Sequence, residues 1–460
     1  MTVSQPVPEK PPIFELGDSF YDIVRAAEFP AAIPRFANRR WAERIGLANI
    51  DWERHFACFE PLPANLPHPL ALRYHGHQFR HYNPDLGDGR GFLFAQLRDG
   101  SGRLLDLGTK GSGQTPWSRQ GDGRLTLKGG VREVLATEML EALGVNTSKS
   151  FALFETGEAL WRGDEPSPTR SAVLTRLSHG HIRIGTFQRA AFFEDREAIS
   201  KLVRYSLRHL YAEEPADDDS QNAARLLDLA SMATAGLAAS YIAAGFVHGV
   251  LNSDNINITG ESFDYGPWRF APEWDEEFTA AYFDETGLYA FGRQPEAIQW
   301  DVAQLAGCLA LVGEAPLLSG LLGGWPGRFE QALVDRLLAR IGIARRQPAA
   351  DRSLATALLT GLRSRIVGID RLFFDWRGGR VPTDKPYADE AFDGLRKQVE
   401  GRQSPLRHAY WSDPAPCSML IDEVESIWSA IADADDWSPF ESKIEAVRRM
   451  ADAMTSDAPA

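Results

Sequence analysis

The 460-residue chain is 44% hydrophobic and 24% charged, the balance of a folded protein with a large core, which excludes disordered, collagenous and coiled-coil chains. Lysine and arginine number 49 against 63 acids, a net charge of −14, so bulk electrostatic binding to nucleic acid is not expected: that affinity comes from cations displacing counterions. The three cysteines, Cys58, Cys308 and Cys417, form no C-x-x-C pair, indicating neither a zinc site nor a disulfide framework and fitting a reducing compartment.

Residues 1–15 read as a flexible arm, with prolines and acids but no apolar segment of a signal peptide. Glycine-punctuated apolar alternation follows, predicting strands over 92–97, 103–107, 150–154 and 171–177. One helix interrupts them: Val131, Val134, Leu135, Met139, Leu140 and Leu143 recur at helical spacing, and Gly144 supplies a stop. After about 190 the periodicity is helical, over 199–210, 223–244, 295–312, 331–341, 354–362 and 422–432. An irregular polar stretch, 248–274, lies between the second and third of these helices. No apolar run approaches the roughly 20 residues of a membrane span; the best surrounds 305–312. A cytoplasmic protein is expected, with no nucleic-acid or membrane partner.

The expected organisation is thus an arm over 1–15, a strand-rich N-lobe over 16–190, and a helical C-lobe over 191–460 that carries a polar loop at 248–266 and a C-terminal extension. That order resembles the two-lobed plan of protein kinases, an α+β fold. Fold alone does not give function, so the polar residues must carry the argument.

They occur in an order suited to nucleotide chemistry. Gly87-Asp88-Gly89-Arg90-Gly91 is a turn whose glycines let backbone amides approach phosphate; it also reads as an ordinary β-turn. Lys110 follows a strand, and Glu133 sits 23 residues later on the lone helix. A strand lysine held by a helix glutamate is the kinase device for pairing phosphates; the alternative is two exposed charges. His248-Gly249-Val250-Leu251-Asn252-Ser253-Asp254-Asn255 precedes Asp264-Tyr265-Gly266. The His-to-Asn spacing and the Asp-x-Gly turn match kinase catalytic loops. Asn255 and Asp264 are hard oxygen donors suited to magnesium.

Two features depart from kinases. Val250 stands where kinases keep a catalytic aspartate, and valine accepts no proton. Asp254, beside Asn255, is the alternative base; it could equally be a turn cap. Arg176 and Arg183 fall where kinases are apolar to hold adenine. Guanidinium groups there suit phosphates, or else pair with surface acids. Gln120-Gly121-Asp122-Gly123-Arg124 is a second turn able to fold over a nucleotide. The pairs His75/His77 and His179/His181 lack an evident third ligand for zinc.

Taken together these blocks resemble the selenoprotein O (YdiU) family of protein adenylyltransferases. The resemblance runs through His77-Gln78-Phe79, Leu86 to Arg90, the block from Lys110 to Arg124, Arg132-Glu133, Thr156-Gly157-Glu158, His181-Ile182-Arg183, His248 to Asn255, and Asp264-Tyr265-Gly266-Pro267, over about residues 70–310. It implies a pseudokinase that binds ATP flipped, so that the α-phosphate faces the acceptor. AMP then passes to Ser, Thr or Tyr hydroxyls of proteins, the chain itself among the candidate acceptors, and pyrophosphate leaves. It implies Asp254 as proton acceptor, and Asn255 and Asp264 as ligands of Mg²⁺ or Mn²⁺. Gly87, Gly89, Arg90, Lys110, Asp122, Gly123, Arg176, Arg183 and Asp264 become ATP contacts, with Glu133 the partner of Lys110. Some members end in a cysteine or selenocysteine; here the last thiol is Cys417. Rival readings are UMP transfer from UTP under Mn²⁺, a small-molecule or protein kinase, and a non-catalytic ATP-binding scaffold.

Overall fold

The computed structural model describes residues 11–163 and 165–458. Its strands are β1 (Tyr21–Ile23), β2 (Ile33–Ala37), β3 (Leu70–Leu72), β4 (Gly76–Gln78), β5 (His81–Asn83), β6 (Leu93–Arg98), β7 (Leu104–Lys110), β8 (Leu125–Thr126), β9 (Lys149–Leu160), β10 (Thr169–Ser178), β11 (Phe246–Val247) and β12 (Arg269–Phe270). Seven of them run β1-β3-β6-β7-β10-β9-β2 across one antiparallel sheet, with β8 added to β10. The early helices are α1 (Arg39–Arg44), α2 (Trp52–Phe56) and α3 (Leu127–Ala142). Then come α4 (Ile184–Phe192), α5 (Arg196–Tyr205), α6 (Asp219–Ala244) and α7 (Gln294–Leu309), and seven more run from α8 (Ala315–Gly323) to α14 (Ser438–Ser456).

The sheet buries both faces, and the sequence alternates to match except at a bulge in β9 opposite Thr175–Arg176, which puts Phe151 and Leu153 on opposite faces. Phe94, Phe151 and Val173 pack on one face with Trp41 of α1 and Phe56 of α2. Leu93, Leu153 and Leu174 pack on the other with Val131, Val134 and Leu135 of α3. Thr126 caps α3, its hydroxyl accepting from the Gly129 N–H at 3.1 Å. Gly130 lets the helix settle onto the sheet: a Cβ there would lie 2.5 Å from Leu153 Cδ1.

Several expectations are corrected. The arm is not free over its whole length: residues 1–10 lie outside the described residues, but Pro12–Glu15 form a 3-10 turn. Ile13 is buried there, and its N–H donates to Gln96 Oε1 at 2.8 Å. The strand-rich part holds α1 and α2 besides α3. The expected division at 190/191 falls inside α4. The helix expected over 199–210 is α5 continued by a π-helical turn, Ser206–Leu210. By length and composition α6 could cross a membrane, yet 78% of its most apolar window is buried inside the protein. It is a core helix, packed against α7 and α9 (Trp325–Arg340).

Candidate active site

Strand register brings the first charges together. Leu174 of β10 lies directly opposite Lys110 of β7, and Arg176 opposite Gly108. Directly opposed residues share a face, as do residues two apart. Leu174 faces α3, so Lys110 and Arg176 face that way too. Lys110 Nζ accordingly forms an ion pair with Glu133 of α3, and both side chains are buried. Lys110 also lies 2.7 Å from Asp264 Oδ1, and Arg176 Nη1 reaches the same oxygen at 3.4 Å.

Asp264 comes from the polar loop. The short pairing of β11 with β12 closes the neck of this loop. Inside it, buried His248 donates from Nε2 to the Phe263 carbonyl at 2.9 Å, while its Nδ1 accepts the Val250 N–H at 3.4 Å. Burial lowers its pKa, consistent with this neutral, structural role. Asp264 takes a left-handed backbone, φ +64°. Burial acts to raise its carboxyl, but Lys110, Arg176 and Arg90 outweigh that and hold it well below its ordinary value.

Asp254 and Asn255 sit on a single 3-10 turn, Ser253–Asn255. The Asn255 amide nitrogen donates to the Val250 carbonyl at 3.1 Å, which leaves its oxygen as the available ligand. Asp254 does not cap the turn with its Oδ1: that atom is buried with no hydrogen-bond partner among the described residues. Burial pushes its carboxyl up to about 6, with Arg183 opposing. Space beside it is tight, since a Cβ on Gly76 would lie 2.9 Å from Asp254 Oδ1.

Arg183, 5% exposed, stacks between Tyr74 and Phe263 at 4.3 and 4.9 Å. It donates to Asp88 Oδ1 and to the Asp254 carbonyl, each at 3.2 Å. Two loops close the outer side. Trp117 lies over Gly87, where any Cβ would fall 2.4 Å from the indole, and Thr115 Oγ1 donates to the Asp88 carbonyl at 2.5 Å. The second loop is pinched at its neck: the Gly113 N–H donates to the Gly123 carbonyl at 3.1 Å, and Gly123 has φ +70°.

These residues line one cleft of about 690 Å³. Gly87, Gly89, Arg90, Lys110, Asp122, Gly123, Arg176, Arg183, Asp254, Asn255 and Asp264 all border it. Glu133 stands behind Lys110. Asp122 is at the rim, its carboxylate bound to Arg162 at 2.8 and 3.1 Å. Asn255 and Asp264 suit a hard divalent cation, because two protein oxygens leave room for phosphate and water. No set of three or more His, Cys, Asp or Glu that could hold a metal exists among the described residues; a two-ligand site of this kind is too sparse to form such a set.

Sequence reasoning missed Arg162, Asp88 as the partner of Arg183, and Asp301. Asp301, on α7, is buried with neither carboxyl oxygen bonded among the described residues. Burial pushes its pKa well above the ordinary value, and Asp254 adds to the shift. Its position eight residues into an apolar helix was the one available signal. Of the paired histidines, His75 Nδ1 meets the Tyr82 hydroxyl at 2.7 Å, His77 Nδ1 meets Gln188 Nε2 at 2.6 Å and His181 Nδ1 meets Asp106 at 3.2 Å, while His179 Nε2 is buried with no hydrogen-bond partner among the described residues.

Comparison with known proteins shows the family of the whole chain. A family model described as "Protein adenylyltransferase SelO" matches residues 7–448, well beyond the 70–310 stretch legible from motifs. A "Protein nucleotidyltransferase YdiU" of Gloeobacter violaceus is 42% identical, covering 96% of this chain and 95% of its own length. The protein of the same description from Synechococcus elongatus is 40% identical over 97% and 96%. One from Rhodopseudomonas palustris is 35% identical over 93% and 90%.

Proposed function

This chain belongs to the protein adenylyltransferase SelO family of nucleotidyltransferases, and on that premise we propose that it transfers AMP from ATP to Ser, Thr or Tyr hydroxyls of proteins, itself included. The observation that carries the reading is the cationic interior of the cleft. Arg176 and Arg183, each 5% exposed, and buried Lys110 line the interior, with exposed Arg90 at the mouth; Lys110 is paired with Glu133 and Asp264, Arg176 with Asp264 and Arg183 with Asp88. Buried guanidinium groups whose Nε atoms have no partner among the described residues suit phosphates, and are costly beside a purine. The β- and γ-phosphates then lie deep, the base lies outward, and the α-phosphate faces Asp254. On this reading the fold is kinase-like and two-lobed, with the Lys110–Glu133 pair as its strand-to-helix link.

The chemistry follows from the residues. The acceptor oxygen attacks the α-phosphorus while Asp254 takes its proton. The bond from the α-phosphorus to the bridging oxygen breaks, and pyrophosphate leaves. Lys110, Arg176, Arg183 and Arg90 stabilise the charge on the leaving phosphates. Gly87 and Gly89 let backbone come close to them, and the loop carrying Asp122 and Gly123 covers the nucleotide. Glu133 positions Lys110. Asn255 and Asp264 would hold Mg²⁺ or Mn²⁺, which when bound supplies charge neutralisation along the phosphate chain. Val250, a wall of the cleft, accepts no proton, so transfer of the γ-phosphoryl group lacks its usual base.

The test is the position of the label. Protein incubated with ATP labelled on the α-phosphate should become labelled, and with γ-labelled ATP it should not. Asp254→Ala and Asp264→Ala should abolish labelling. Label from the γ position, or transfer undiminished in Asp264→Ala, would overturn the reading.

A further inference from the structure

This inference rests on the reading of the cleft as a site of transfer to protein hydroxyls, and concerns how the acceptor chain is held. An aromatic ledge stands at the cleft wall. Ala280 and Ala281 abut Gly249, where an added Cβ would lie 3.0 Å from Ala280 Cβ; Gly249 adjoins Val250. The next two residues, Tyr282 and Phe283, turn outward and are 86% and 46% exposed. Phe283 meets Phe79 edge-on at 5.9 Å, and the Phe79 N–H donates to Asn252 Oδ1 at 3.0 Å. Asn252 lines the cleft. The ledge is therefore built onto the same loop that carries Asp254.

Its surroundings are acidic. Between Phe270 and Gly292 the chain carries Glu273, Asp275, Glu276, Glu277, Asp284 and Glu285 and no lysine or arginine. Asp275 and Glu276 are paired with Arg365 and Arg363 at 2.7 and 3.1 Å. Asp284 accepts the backbone N–H groups of Leu288 and Tyr289, each at 2.8 Å. Glu277 and Glu285 are exposed and form no ion pair among the described residues. Of the nearby cations, Arg80 is engaged by Glu296 at 3.4 Å and stacked over Trp300, and Arg293 donates to the Thr286 carbonyl at 3.1 Å. Exposed aromatic rings beside unpaired carboxylates, continuous with the wall of the reacting centre, match a segment that is both apolar and basic.

We propose that Tyr282 and Phe283, with Glu277 and Glu285, dock the acceptor polypeptide. They select a Ser, Thr or Tyr flanked by an apolar or aromatic residue and by Lys or Arg.

The test uses the full chain, α-labelled ATP and three synthetic serine peptides. One carries phenylalanine and two arginines, one has the phenylalanine replaced by alanine, and one has the arginines replaced by glutamates. The first should be labelled with the highest kcat/KM. Tyr282→Ser/Phe283→Ser should raise its KM about tenfold, the usual weight of buried aromatic anchors, with kcat and ATP affinity unchanged. Glu277→Lys/Glu285→Lys should shift preference toward the glutamate peptide. Equal labelling of all three peptides, or variants that leave peptide KM unchanged, would overturn the proposal while leaving AMP transfer intact. A ledge variant that changes only the mass in sedimentation would make the ledge a contact between copies, and also overturn it. If ATP binds yet no peptide or protein takes the α label, the underlying reading fails, and the docking proposal with it.

Discussion

Lys110 Nζ lies 2.7 Å from Asp264 Oδ1, so the strand cation and the candidate metal ligand satisfy each other's charge across the cleft. A divalent cation on Asp264 must share that carboxylate. Lys110→Met should therefore bind Mn²⁺ at least about tenfold more tightly when no nucleotide is added, because a unit charge at this range is worth several kcal/mol even in a polar interior. The same variant should lose AMP transfer. Metal affinity by calorimetry and labelling by ATP check the two halves; unchanged metal affinity would show that Asp264 is not the ligand.

The Lys110–Glu133 pair is buried on both sides. Removing one partner leaves a buried charge uncompensated, which typically costs about 3–5 kcal/mol. Glu133→Leu should be less costly than that, because Asp264 still faces Lys110. Glu133→Leu with Lys110→Met should be less destabilising than the two single effects added. A chemical-denaturation double-mutant cycle measures this coupling.

Asp254, raised to about 6 by burial, must be ionised to accept a proton. Labelling rate should rise with pH through about 6 and level off above it. Asp254→Asn should remove the rise and lower the rate by roughly 10²–10⁴, with ATP affinity retained. A flat profile in the wild type would argue against a base at this position.

Asp301 is held neutral by burial, its carboxyl raised well above 3.8. Above pH 4 the unfolded chain ionises this group while the folded chain keeps its proton. The folded state thus binds more protons, and stability falls as pH rises. Asp301→Asn removes that linkage, a slope of up to about 1.4 kcal/mol per pH unit. The melting temperature of the variant should gain on that of the wild type as pH rises above 4.

Gly123 sits at φ +70°, and a Cβ there would fall 2.3 Å from the Gly113 carbonyl oxygen. Gly123→Ala should spring the neck of the covering loop. The left-handed backbone alone costs about 1–2 kcal/mol without glycine, so ATP binding should weaken by roughly tenfold or more, and the melting temperature should fall by a few degrees because Gly123 and Gly113 are both buried.

Much of this was legible in the sequence. The alternation in 92–97 and 171–177 placed β6 and β10 within a few residues, and helical spacing located α3 and α6, because local periodicity reports which face is buried. Lys110, Glu133, Asn255 and Asp264 were legible from order and spacing. α4 was missed: Arg183, Gly185 and Gln188 break its apolar stripe. The glycine is there for space, since a Cβ on Gly185 would lie 2.2 Å from the His75 carbonyl oxygen.

What the sequence by itself determined is the set of charges and the elements that carry them. Only the tertiary structure decided their partners. Asp88 and Arg183 are 95 residues apart and meet at 3.2 Å; Asp122 and Arg162 are 40 apart and meet at 2.8 Å. It also left Asp254 Oδ1 and both oxygens of Asp301 with no partner among the described residues. Periodicity sets which way a side chain points within its own element. Whether a buried charge meets its opposite, or is left alone to shift its pKa, depends on segments brought together from elsewhere in the chain, and no local spacing encodes that distance.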